Sequence, residues 1–139
     1  MRLAILLIRI ATAAALLSSA GLRAAAARFD RIEAQCRWHG GVTTSAARLL
    51  PDGTISRLDG RMISHISSAE AINLSRELDR IDFDRLPAGN ALPAGKGEYC
   101  LLSRTDAGGM HAIWIDPAGA SGTRRAALNV AIRILDYTR

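Results

Sequence analysis

The sequence predicts an α+β domain: a small antiparallel sheet with two helices packed on one face, in the order β-β-β-α-β-β-α. Three observations predict it. Residues 32–38 alternate apolar and polar without a break, two pairs of short apolar runs flank Gly-containing turns, and two segments carry apolar residues at helical spacing.

In the first strand Ile32, Ala34, Cys36 and Trp38 take one side and Glu33, Gln35 and Arg37 the other, the pattern of a half-buried strand. Gly40-Gly41 ends it, because paired glycines reach backbone angles that other residues avoid. A second strand follows from Thr43 to Leu50, turns at Pro51-Asp52-Gly53-Thr54 and returns over Ile55 to Leu58, which brings Arg48 and Arg57 near each other on a solvated face. Asp59-Gly60 closes that unit. Ser67-Ser68-Ala69-Glu70 is a capping-box sequence, in which Ser67 accepts from an amide of the first turn and Glu70 reaches back. Ala71, Leu74, Leu78 and Ile81 then form the apolar stripe of a helix. Phe83 and Leu86 are expected to anchor the helix exit, and Ala88 to Gly97 forms a loop. Tyr99–Ser103 and Met110–Ile115 flank a second hairpin turn at 105–109. The last helix spans Thr123 to Tyr137, with Ala127, Leu128, Ala131, Ile132, Ile134 and Leu135 on its apolar face.

The N-terminus sets the compartment. Arg2, the apolar run to Leu17 and the small residues up to Ala27 follow the secretory pattern of a basic start, an apolar stretch and a small-x-small exit. A signal peptide over residues 1–26 is expected, followed by a single domain over 27–139. Arg9 interrupts the apolar run, which opposes a permanent span of about 20 apolar residues, so no stable membrane span is expected after cleavage. Arg2, Arg9 and Arg23 leave with the leader; 15 basic residues then face 13 acidic ones, and the net charge falls from +5 to about +2. Charges of both signs are interspersed, so the basic stripe of a nucleic-acid binder is missing. Location in the periplasm or outside the cell follows.

Cys36 and Cys100 are the only cysteines, and in an exported chain an even count predicts a disulfide between them. A zinc site is the alternative use of these residues, with Cys36 and His39 at Cys-x-x-His spacing and Cys100 and His111 further on. Residues three apart on a continuous strand face opposite sides, and the second pair has no recognised ligand spacing. No metal and no cofactor is therefore expected. Glu98, Asp106, Asp116 and His111 lie near one hairpin, but without a paired base, nucleophile or metal motif they define no catalytic site, and the chain reads as a non-enzyme. His65, beside Ile63 and Ile66, reads as a surface or half-buried residue.

The strand ending in Gly40-Gly41, the helix beginning near Ser67, "IDFDRLP" at 81–87, the later hairpin and the C-terminal "AIRILDY" together resemble the emfourin-type domain. That is a small ββαββα fold whose named member inhibits thermolysin-like metalloproteases. "CRWHGG" and "LLPDGTISRLDG" are also similar to an exported bacterial domain of unknown function with an early cysteine and an Asp-Gly hairpin. The resemblance implies a small binding module, with a protease outside the cytoplasm as partner, and carries over no inhibitory residue. A competitive inhibitor would present a rigid loop, for which Gly40-Gly41 and Ala88 to Gly97 are the candidates, with ordinary turns as the alternative reading of both. An envelope-associated protein that binds through the free face of its sheet is the second expectation, with Trp114 contributing if it points outward rather than into the core. A small hydrolase ranks third.

Overall fold

The computed structural model describes residues 29–38, 43–89 and 97–139. The expected leader over 1–26 lies outside them, as do His39, Gly40 and Gly41 and most of the loop expected over 88–97.

Strands β1 (Arg31–Trp38), β2 (Thr43–Leu49), β3 (Thr54–Ser56) and β4 (Met62–His65) precede helix α1 (Ser68–Arg80) and a 3-10 turn over Phe83–Arg85. Strands β5 (Tyr99–Asp106) and β6 (Gly109–Ile115) and helix α2 (Gly122–Asp136) complete the chain. All six strands join in one antiparallel sheet of order β4-β3-β2-β1-β5-β6. The α+β class and the element order match the sequence reading, with one strand more. Asp59-Gly60 does not close the first unit but turns β3 into β4: the Arg57 amide donates to the Arg61 carbonyl and the Gly60 amide to the Arg57 carbonyl. Arg48 stands opposite Ser56 rather than Arg57, which is exposed beyond the strand end.

The alternation of β1 is realised as read. Ile32, Ala34 and Cys36 are buried under the helices, together with Ala47 and Leu49 of β2, Ile55 of β3, Cys100 and Leu102 of β5 and Ile113 and Ile115 of β6. Helix α2 lies across β1, β2 and β5 and packs on α1. It brings Ala127, Leu128, Val130, Ala131, Ile134 and Leu135 to this core, and α1 adds Ala71, Leu74 and Leu78. Phe83 is fully buried and Leu86 packs at the margin, as expected of the helix exit.

The topology makes two halves, the meander β1–β4 and the hairpin β5–β6, which meet along the β1–β5 ladder. Cys36 and Cys100 stand directly opposite each other in that ladder, 4.1 Å apart at Cα, and form the expected disulfide. Close antiparallel pairs normally approach to about 4.5 Å, so register alone brings the two sulfurs within bonding reach.

Turn chemistry fixes the first hairpin. Gly53 has φ +93°, and a Cβ there would meet the Ile66 carbonyl, so only glycine fits. The Asp52 carboxylate accepts the Thr54 amide at 2.9 Å, and bonding to Thr54 holds its pKa below the ordinary value. A lowered carboxyl stabilises the fold above its unfolded-state pKa and loses that contribution as pH falls through the folded one. Asp52→Ala is therefore expected to be less stable than the wild type at neutral pH. That gap should close below about pH 4, as checked by urea melts across pH.

Candidate functional site

Because strand residues alternate, the faces of β1, β5 and β6 turned away from the helices can be read from the register. Gln35 pairs with Leu101, and Leu101 with Trp114; Arg37 pairs with Tyr99. Ile113 and Ile115 point into the core, so Trp114 between them faces outward. Trp114, Tyr99 and Leu101 are each only half-buried. The Tyr99 and Trp114 rings meet edge to face with centroids 5.2 Å apart. The other end of this face is charged: Glu33 pairs with Arg31 at 2.9 Å and accepts a hydrogen bond from Arg48 at 3.2 Å. The open face thus joins an aromatic-aliphatic patch to two ion pairs that share Glu33.

The core side holds a charge that the sequence reading missed. Arg104 follows Cys100 and Leu102 in the inward-facing row of β5 and is 6% exposed. Its Nη1 donates to Asp79 at 2.7 Å and to the Ser75 carbonyl at 3.2 Å, and its Nη2 donates to Asp84 at 3.0 Å. The guanidinium also lies over the Phe83 ring, 5.9 Å from its centroid. Arg104 therefore ties the strand to α1 and to the 3-10 turn. The strand reading ended at Ser103; carrying the two-residue period one step further would have placed an arginine on the core face and prompted a search for acids.

A second polar cluster joins the helices. Ser67 caps α1 as expected, accepting the Glu70 amide at 3.1 Å. The Glu70 carboxylate, expected to reach back, accepts instead from Arg133 at 2.8 Å and from the Tyr137 hydroxyl at 3.1 Å. Arg133 also donates to Glu77 at 2.7 Å. That bond, and after it the bond to Glu70, raise the Arg133 pKa, while burial, followed by the bond to Glu70, raises that of Tyr137.

The polar residues singled out near the second hairpin do not converge. Asp106 accepts the Gly108 amide at 2.7 Å and Asp116 the Ala118 amide at 3.0 Å, so each shapes its own turn. Glu98 is exposed just before β5, and His65 is exposed on β4. His111 sets its Nε2 2.9 Å from the Leu86 carbonyl and its ring edge-on to Phe83. His111 and Asp106 do border one open depression with Asp84, but Asp84 is bound to Arg104. Cys36 and Cys100 are consumed by the disulfide and are unavailable to a metal. Among the described residues no group of three or more His, Cys, Asp or Glu could hold a metal ion. No helix among them is long and apolar enough to cross a membrane.

No protein-family model matches the chain, and neither does any curated protein or solved structure, so what the molecule does has to be read from its own surfaces.

Proposed function

We propose that the mature chain is a non-enzymatic binding module, periplasmic or secreted, that holds a protein partner against the open face of its sheet. The observation that carries this reading is the outward placement of Trp114 beside Tyr99 and Leu101. Tryptophan and tyrosine are the residues that most often dominate binding energy, and they do so where a partner can finish burying them. The disulfide supports a working place outside the cytoplasm, where such bonds persist. The emfourin-type resemblance makes a thermolysin-like metalloprotease the first partner to test.

The experiment uses residues 27–139 with the disulfide formed, offered to an envelope fraction and, separately, to thermolysin-like proteases. Trp114→Ala is expected to weaken capture of the partner about 30-fold, the cost of losing a hot spot of about 2 kcal/mol. Its folding stability should fall far less. Unchanged capture by Trp114→Ala and Tyr99→Ala would remove the open face from consideration. A mature protein that leaves the proteases uninhibited at micromolar concentration would exclude them as the partner.

A further inference from the structure

Beyond the open face, a cavity of about 300 Å³ lies where β6 ends and α2 begins, bordered by Trp114, Ile115, Asp116, Gly119, Ala120 and Arg124. This volume is at the lower limit of small-ligand sites. Two opposite charges share the cavity without pairing. Arg124 is held by two backbone carbonyls, Nη1 donating to Trp114 at 2.7 Å and Nη2 to Pro87 at 2.6 Å. Those bonds position the guanidinium, and among the described residues no carboxylate pairs with it and no further acceptor meets its other three N–H donors. Asp116 Oδ1 accepts the Ala118 amide, while Oδ2 accepts no hydrogen bond among the described residues. No ion pair joins Arg124 to Asp116 or to any other described carboxylate.

Small residues keep the charged atoms accessible. A Cβ on Gly119 would stand 3.1 Å from Asp116 Oδ2, and one on Gly89 would stand 3.6 Å from the Arg124 Nη atoms. A simple anion in this cavity would meet Arg124 favourably and Asp116 unfavourably, and a simple cation would meet the reverse. A molecule carrying both charges satisfies both residues. Ile115 and Ala120 add apolar lining to the cavity.

We infer that this cavity binds a small zwitterion with a compact apolar side chain, of the α-amino-acid class. The carboxylate of the ligand faces Arg124 and its ammonium faces Asp116. The inference rests on Arg124 and Asp116, which the docking face does not use, while Trp114 borders both.

The test is an amide chemical-shift titration of the isotope-labelled mature protein with three probes: L-leucine, 4-methylpentanoate, which lacks the ammonium, and 3-methylbutylamine, which lacks the carboxylate. Leucine is expected to shift the Gly119 and Ala120 amides saturably, and each singly charged analogue to bind at least about tenfold more weakly, since a charged hydrogen bond is lost. Asp116→Asn keeps an acceptor for the Ala118 amide but removes the charge, and should reduce leucine binding to the level of 4-methylpentanoate. Ala120→Leu should fill the cavity and abolish the shifts. Equal affinity for all three probes, or no saturable response to leucine well above millimolar concentration, would overturn the inference. Because Asp116 is exposed, its variant remains informative even if Ala120→Leu fails to fold.

Discussion

Replacing Cys36 and Cys100 together by alanine is expected to lower folding stability by about 4 kcal/mol, the loop-entropy value for a link of this span. The two residues are separated by 64 positions and are both fully buried. A loss of this size is a large part of the 5–15 kcal/mol, in round figures, that holds a domain together. The position of the bond matters as much as its span. The meander β1–β4 and the hairpin β5–β6 share only the β1–β5 ladder within the sheet, and the sulfurs cross that seam under α2. Without the bond the halves still pair, but the unfolded chain regains the freedom that the link removed. Urea melts followed by tryptophan fluorescence should therefore show a lower midpoint together with a steeper denaturant dependence, because the unlinked chain exposes more surface. A double variant as stable as the oxidised wild type would mean that the seam is held by packing alone.

The second large effect concerns Arg104, and it is asymmetric. Removing its acids, as in Asp79→Ala with Asp84→Ala, leaves a guanidinium 7% exposed at its side chain without a carboxylate partner. Stranding a buried charge costs about 3–5 kcal/mol. Solvent can partly reach this site, since both aspartates are about half-exposed, so about 3 kcal/mol is expected. Arg104→Met removes the charge itself and keeps much of the side-chain volume over Phe83. The aspartates left behind can be solvated, so the expected loss is only about 1 kcal/mol, in line with apolar replacement of buried ion pairs. Equal losses in the two variants, measured by the same melts, would mean that packing against Phe83 rather than charge compensation sets the energetics here.

What the sequence revealed and what it concealed divides along physical lines. The β1 strand, the Ser67 cap and the apolar face of α2 are local patterns, set by periodicity and by side-chain bonds to nearby amides, and they were legible. The β4 strand was not, because an edge strand with three of its four residues exposed leaves no alternating pattern. It is a strand because β3 pairs with it across the Asp59-Gly60 turn. The Glu70 carboxylate had a legible local partner, yet it bonds Arg133 and Tyr137, 63 and 67 positions away, because α2 packs beside α1. Trp114 was ambiguous while its strand stood alone. Register across β5, together with burial of Ile113 and Ile115, turns it outward. The opposed charges of Arg124 and Asp116 reach one cavity only through the turn that joins β6 to α2, which no spacing rule encodes.

We propose that the chain crosses a membrane and loses its leader, and that the Cys36–Cys100 bond then locks it across the β1–β5 seam. Intact mass of protein recovered from outside the cytoplasm, taken before and after reduction with alkylation, tests this most directly. The predicted result is a species starting at Ala27 or Arg28 that accepts no alkyl group until it is reduced, and then accepts two, on Cys36 and Cys100. A full-length chain confined to the cytoplasm, with both thiols alkylated without reduction, would contradict it.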